Sequence, residues 1–507
     1  MKKEVLRIQN LNIPYQERRQ FHWVSMILFE GECTAFLGLS FSGKDDLVRF
    51  LTLRRSCDVE ELALSIDGER ILTQKMLEHT VCRITPRSKA LPGWTCAEYI
   101  SLAGSGWILM GSQSRALVQK AQETVQELGI DLDVSRPLGM LSEIEKRLAE
   151  LARVCALGAR VLVVEDELES LTDEEILEYS HVLQQVAKKK HLTVIINAHS
   201  SAVSAALADH YVIFRDGKIV KKCRKTDIRS KQQLEDYMLG PGQMPENSRS
   251  SYVQVSRQKS GANDADRPEI NGDAVEEKKP EILYRMRSFP AGEYRLRQLK
   301  GTSLIQQNGG LLDLSFRTSC VTTLLVLDEK MRDTLFLSLS GRDLSAQTYC
   351  VIGDKRMGYG DYRLFVKNRV VSVMHLGSRE ELFGNMSIGE NLVLPSLRKL
   401  TFSDYLFHSS RLAYALDPGT VPREELARPM QKSDVNSRIT VTLERWYLYN
   451  PKVMILLEPF ERCDLYGVSI VRSYIRKIAR RGACVILIKS RAEYTEDISD
   501  EILLTGR

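Results

Sequence analysis

Nowhere in the 507-residue chain is there a run of about 18 apolar residues, so no segment reads as a membrane-spanning helix. The opening Met1-Lys2-Lys3-Glu4 leads into mixed sequence and lacks the apolar stretch of a signal peptide. Cysteine is sparse. The ten present are scattered and form no C-x-x-C pair, which excludes a disulfide framework and suggests no zinc site. A reducing cytoplasm is the expected setting. A surplus of one charge is also missing: 71 Lys and Arg face 66 Asp and Glu, for a net +5, so nucleic acid is not an expected partner. What remains is ordinary globular material, 43% hydrophobic and 27% charged, ample for more than one core. At about 100–200 residues per domain, the length suggests about three domains as a soft prior.

A polar stretch at 240–280 divides the chain. Pro, Gly, Ser, Asn and charge dominate it and its apolar residues are isolated, so it reads as a flexible linker between units at 1–239 and 281–507. The units look related. Trp94-Thr95-Cys96-Ala97-Glu98-Tyr99-Ile100 matches Met386-Ser387-Ile388-Gly389-Glu390-Asn391-Leu392, with Glu98 and Glu390 292 positions apart. The segments 159–166 and 451–458 match at the same offset, Asp166 against Glu458. Two matches at one offset indicate an internal duplication of a whole domain. Short apolar runs at 33–37, 161–164, 194–196 and 211–214 read as buried strands. Residues 114–128 read as an amphipathic helix, as does the run through Ile144, Leu148, Leu151 and Cys155. Strands alternating with helices imply an α/β domain with a largely parallel sheet.

The sharpest motif is Gly38-Leu39-Ser40-Phe41-Ser42-Gly43-Lys44-Asp45, followed by a helix opening at Asp46. It fits G-x-x-x-x-G-K and departs at the last position, where Ser or Thr is expected. Glycines let backbone N–H groups of Gly38, Ser40, Ser42 and Gly43 turn toward a phosphate, and a lysine reaches its oxygens. A plain strand–turn–helix junction is the alternative. Glu165-Asp166 ends the strand at 161–164, where magnesium-holding and water-orienting carboxylates sit in phosphate-transfer enzymes, or where an acidic turn is simply solvated. His199 follows the strand at 194–196, a place where histidine is more often structural.

In this order the motifs resemble the ATP-binding cassette transporter family, and more narrowly the tandem-cassette subunits of monosaccharide importers. The resemblance covers nearly the whole chain outside the linker. It is carried by Tyr15, Gly31-Glu32, the loop at 38–45, Ser65-Ile66-Asp67-Gly68-Glu69, Leu141-Ser142, Glu165-Asp166, His199 and Asp216-Gly217-Lys218. The second half carries 386–392, 451–459, Asp464 and the closing strand at 501–504. The resemblance implies two P-loop nucleotide-binding domains in tandem, α/β with a helical subdomain each. It implies ATP and Mg²⁺ as cofactors. Tyr15 would stack on adenine, and Lys44, with Asp46 at the helix opening, would lie at the phosphates. Asp45 and Glu165 would hold Mg²⁺, Asp166 would orient water and His199 would sense the γ-phosphate. Glu458 would be the second unit's counterpart of Asp166, and Ser142 would begin the signature that grips the opposite cassette's nucleotide. The implied partners are a membrane permease, met through 83–128 and 374–400, and indirectly a periplasmic or lipoprotein sugar-binding protein. The implied location is cytoplasmic, on the inner face of the plasma membrane.

The departures fall on functional positions. Phe41 and Asp45 replace a glycine and a hydroxyl residue, and Glu165-Asp166 inverts the usual order. The signature reads Leu141-Ser142-Glu143-Ile144-Glu145, whose Ser142-x-x-Glu145 is also a capping box. The second unit has no glycine through 326–334, none through 433–437, Leu457 in place of an aspartate and Ser490 in the region of His199. The expectation is an importer ATP-binding subunit with degenerate sites, in which Lys44→Ala abolishes binding and Arg332→Ala, in the eroded second loop, changes nothing. The competing reading is a pseudo-ATPase that regulates or scaffolds. A soluble translation or repair ATPase of the same fold is a third reading, without the long arms such proteins carry.

Overall fold

The computed structural model describes residues 2–16, 19–40, 42–53, 60–84, 93–101, 114–165, 171–197, 201–240, 280–302, 304–378, 380–399, 421, 425–461 and 463–506. The chain separates into two compact units, Met1–Gln243 and Met244–Arg507. Most of the expected linker, 241–279, lies outside the described residues.

The first unit runs β1 (Glu4–Leu11), β2 (Pro14–Gln16), β3 (Arg19–Gln20), β4 (Val24–Phe29), β5 (Cys33–Leu37), α1 (Lys44–Leu51), β6 (Leu64–Ile66), β7 (Glu69–Arg70), α2 (Gln74–Thr80) and β8 (Val81–Ile84). It continues with α3 (Cys96–Ser101), α4 (Ser114–Leu128), α5 (Glu143–Ala156), β9 (Val161–Glu165), α6 (Asp173–Lys189), β10 (Thr193–Asn197), α7 (Ser201–Leu207), β11 (His210–Arg215), β12 (Lys218–Arg224) and α8 (Lys231–Leu239). The order β12-β11-β5-β10-β9-β8 makes one sheet, parallel except for β12. Its inner strands are apolar and buried along most of their length because both faces are covered, as a parallel sheet requires. A second, antiparallel sheet, β4-β1-β6-β7, alternates buried and exposed residues. Phe21, Phe36, Phe50 and Phe214 fill the core it shares with α1 and the parallel sheet.

The second unit repeats the plan with β13 (Ile282–Pro290), β14 (Arg295–Lys300), β15 (Leu304–Asn308), β16 (Leu311–Arg317), β17 (Val321–Val326), α9 (Glu329–Leu339), β18 (Tyr349–Ile352), β19 (Lys355–Met357), α10 (Tyr362–Lys367) and β20 (Val370–Val373). Then come α11 (Ile388–Val393), α12 (Val435–Tyr449), β21 (Val453–Leu457), α13 (Leu465–Arg480), β22 (Cys484–Lys489) and β23 (Glu501–Gly506). Its parallel sheet, β14-β23-β17-β22-β21-β20, matches the first strand for strand over five positions. The duplication extends to detail. Thr95 bridges Pro137 and Ser387 bridges Pro429, each pair 292 positions apart from its copy. Thr95 with Glu98, and Ser387 with Glu390, close the same reciprocal cap at the start of α3 and α11.

One position differs in origin. The sixth strand of the first unit is β12, which follows β11 through the turn at Asp216-Gly217. In the second unit that place is taken by β14, from early in the unit, antiparallel to β23. Among the described residues no helix is long and apolar enough to cross a membrane.

Ser65–Glu69 forms a hairpin, with Asp67 and Gly68 at φ 51° and 87°, a turn of the primed kind. Asp67 then ties the antiparallel sheet to the start of β9 in the parallel one: Arg160 donates Nε and Nη2 to its carboxylate at 2.6 and 2.8 Å. These bonds hold the Asp67 carboxyl below the usual carboxylate range. A lowered folded-state pKa gives stability that is present above the unfolded value and lost as pH falls through the folded one. Wild type should therefore exceed Asp67→Asn in stability at neutral pH and converge with it below the ordinary carboxylate range, measured by denaturant titration across acid pH.

Candidate phosphate sites

Each loop that would grip a phosphate sits between the central strand of a parallel sheet and the helix after it. In the first unit these are β5 and α1, separated by Gly38–Gly43. A Cβ on Gly38 would lie 2.6 Å from both the Phe214 carbonyl oxygen and Ser42 Oγ, so no side chain fits there. Gly43 stands at φ 96° as the N-cap of α1, and no side chain caps that end among the described residues. The Gly217 N–H bonds to the Ser42 carbonyl at 3.0 Å and supports the loop from below. Ser42 Oγ is buried and has no hydrogen-bond partner among the described residues. These features suit a phosphate-bearing ligand.

Lys44 is wholly buried. Its Nζ donates to Asp45 Oδ1 at 2.9 Å and to Asn197 Oδ1 at 3.1 Å, and Asn197 Nδ2 donates to the same Asp45 oxygen at 2.9 Å. The three side chains close a triangle of charge-assisted bonds, each the kind worth about 1.5–3 kcal/mol. Asn197 ends β10, the strand between β5 and β9, and pairs in register with Phe36 on one side and Glu165 on the other. The sheet therefore brings Lys44, Asp45 and Glu165 to the same end, with Asn197 between them. Asn197 was not among the sequence candidates. Its signal was a polar residue ending a buried apolar run beside a candidate histidine. Asp46 is buried with Oδ1 3.4 Å from Arg49 Nη1. Glu165 lies 3.6 Å from Arg83 Nε of β8. Both carboxylates expected to hold Mg²⁺ thus face cations of the chain itself, and this donor set does not fit the metal. Ser40 is half-buried in the loop, and Tyr15 belongs to β2. Phe41, Asp166 and His199 lie outside the described residues.

Ser142 is the N-cap of α5. Its Oγ accepts from Glu145 N at 3.3 Å, while Glu145 Oε2 accepts from Ser142 N at 2.7 Å. The candidate signature serine is thus engaged in its own helix. Glu145 also meets Arg136, and Glu143 meets Lys146.

In the second unit the loop is shortened as well as substituted. Only Leu327 and Asp328 separate β17 from α9. Asp328 caps α9, accepting from Met331 N at 2.8 Å, so the positive helix end is met by the chain's own carboxylate. Arg332 lies inside the helix rather than in a loop, buried, with Nη1 3.8 Å from Glu458 Oε1. The same Glu458 oxygen accepts from Ser490 N at 2.6 Å. Glu458, expected as a catalytic carboxylate, is buried at φ 41° and links the ends of β21 and β22 to α9. Asp464 caps α13 through Gly467 N at 2.8 Å and accepts from Asn436 of the signature helix α12 at 3.1 and 3.2 Å.

Two α/β units in tandem, each placing a central strand, a P-loop position and a helix in one order, define a tandem nucleotide-binding cassette by fold. A model of the KAP family P-loop domain matches residues 76–222. The chain is 22% identical to the ribose import ATP-binding protein RbsA of Jannaschia sp. (strain CCS1), over 99% of this chain and 90% of that one. It is 24% identical to the uncharacterized ABC transporter ATP-binding protein YphE of Escherichia coli (strain K12), over 95% and 89%. Among solved structures the RNase-L Inhibitor covers 98% of this chain and 87% of its own, with a TM-score of 0.50 at 12% identity, a likeness of fold. The fold is that of ATP-binding cassette ATPase domains in tandem, and the sequence is similar to import ATP-binding proteins along nearly its whole length.

The Arg332–Glu458 pair changes what Arg332→Ala should do. Removing the cation leaves a buried carboxylate with one backbone donor, a loss of about 3 kcal/mol. The second unit should lose that stability in urea denaturation, with hydrogen exchange rising in α9 and at the end of β21. Unchanged stability would show the pair to be incidental.

Proposed function

We propose that the chain is the cassette component of a carbohydrate-import assembly, seated peripherally on the cytoplasmic side of a membrane permease, in which neither cassette turns ATP over. A sugar-binding protein would meet it only through the permease. The lineage rests on likeness along nearly the whole chain to ribose import ATP-binding proteins. The loss of turnover rests on one observation above the others: Lys44, the lysine of the first unit's phosphate loop, is bonded to Asp45 and Asn197.

In the first unit the loop N–H groups at 38–43 and Lys44 would hold a phosphate once Lys44 exchanged partners. ATP would supply that phosphate, but the carboxylates expected to hold Mg²⁺ face Lys44 and Arg83 instead. Asp45 opposes the exchange twice, by competing for Lys44 and by its own charge beside the incoming anion. In the second unit two residues replace the loop, and Asp328 occupies the helix end. Nucleotide affinity is thus asymmetric and weak, and the protein acts through shape and partners rather than through hydrolysis.

The test is titration of the full chain with ATP, with and without Mg²⁺, beside an ATPase assay. Wild type should bind weakly, with no gain from Mg²⁺ and no turnover. Asp45→Ser frees Lys44 and should tighten binding by about tenfold or more, the worth of one charge-assisted bond. Lys44→Ala should remove what binding there is. Mg²⁺-dependent turnover in wild type, lost in Lys44→Ala, would overturn the proposal.

A further inference from the structure

The stretch before β20 carries a surface that the nucleotide sites do not use. Tyr359, Tyr362, Leu364 and Val366 are 76%, 46%, 39% and 44% exposed. Single exposed apolar residues are ordinary, but four within eight positions are a patch. Lys355, Arg356, Arg363 and Lys367 are exposed among them. Asp354 is the one exposed acid, since Asp361 is partly buried and accepts from Gly358 N at 2.8 Å.

Helix α10 arranges these side chains. At 100° per residue, Phe365 points inward and is buried, as is the following Asn368. The outward arc runs Tyr362 and Val366, then Arg363 and Lys367, then Leu364. Two cations stand at its centre with apolar groups on either flank. Arg356 lies over the Tyr349 ring at 3.7 Å.

The fold does not require this. In the first unit α2 precedes β8 as α10 precedes β20. There Leu72 is the exposed large hydrophobic residue between 69 and 80, and Glu69 and Glu78 balance Arg70 and Lys75. The patch therefore belongs to the second unit alone, the unit whose phosphate loop is shortened.

We propose that Tyr359–Lys367 is a docking surface for the headgroups of anionic phospholipids. Charge complementarity decides the occupant. Cations at the centre of the arc meet lipid phosphates, their stems lie along the flanking apolar groups, and the tyrosines sit at the depth where an amphipathic ring is stable. A protein partner of matched shape would call for an apolar centre and a charged rim, the reverse of this order.

The experiment uses the full chain and protein-free vesicles, so its outcome is independent of the permease and of nucleotide. Flotation is measured with phosphatidylcholine vesicles and with vesicles of phosphatidylcholine and phosphatidylglycerol. Wild type should bind the anionic vesicles and not the neutral ones, and added salt should release it. Arg363→Glu with Lys367→Glu should lower binding by about tenfold or more. Tyr359→Ser with Tyr362→Ser should weaken binding while leaving its salt dependence. Each altered side chain is exposed, and thermal melting checks that both variants fold. Equal binding to both vesicle types, or wild-type binding by the charge-reversed variant, would overturn the proposal. So would self-association in sedimentation that the variants abolish, which would assign the patch to a second copy of the chain.

Discussion

At each candidate phosphate loop a positive centre is met by a carboxylate of the same chain. In the first unit that centre is the Lys44 ammonium, held by Asp45 with Asn197 completing the triangle. In the second it is the N-terminal end of α9, met by Asp328. At the signature helices, Ser142 with Glu145 caps α5, and Asp434 caps α12 through Ser437 N at 3.0 Å. A helix end or a buried ammonium carries an electrostatic demand that something must satisfy. In an active cassette the nucleotide is part of that answer. Here Lys44, the α9 end and the starts of α5 and α12 find that answer within the chain, while the α1 end has no side-chain cap among the described residues.

This explains how the fold outlasts its motifs. The inner strands of each parallel sheet are buried on both faces, so their apolar sequences are constrained by packing rather than by chemistry. That constraint made the architecture legible in sequence. The runs at 33–37, 161–164, 194–196 and 211–214 reappear as β5, β9, β10 and β11 with bounds moved by at most a residue. The helix at 114–128 has the bounds its apolar spacing indicates. The 292-residue offset returns as paired bridges and paired caps.

The sites were less legible, for a physical reason. A motif gives residue types at positions along the chain, whereas capture of a charge depends on neighbours across the sheet. Asp45 reads as a replacement magnesium ligand until Asn197, from a strand far along the chain, is seen to hold it on Lys44. Arg332 reads as a residue of an eroded loop because the number of residues between strand and helix cannot be known before both are placed. With two residues in that loop, Arg332 falls a turn inside α9, within reach of Glu458. Glu458 itself reads as a carboxylate awaiting a role, yet its acceptor capacity goes to Ser490 and Arg332.

The exchange of β12 for β14 at the sheet edge has a kinetic consequence. In the first unit the edge strand is the second arm of a hairpin, so it adds to the sheet through a short turn soon after β11. In the second unit β14 and β17 come early but both pair with β23, which lies between them in the sheet and follows every other strand of that sheet in sequence. Pairing across so much chain is slow, because the loop must close before any contact rewards it. Until β23 arrives, β14 has no partner within that sheet and β17 keeps one side open. The parallel sheet of the second unit is therefore completed late, and its unpaired strands are exposed to aggregation in that interval.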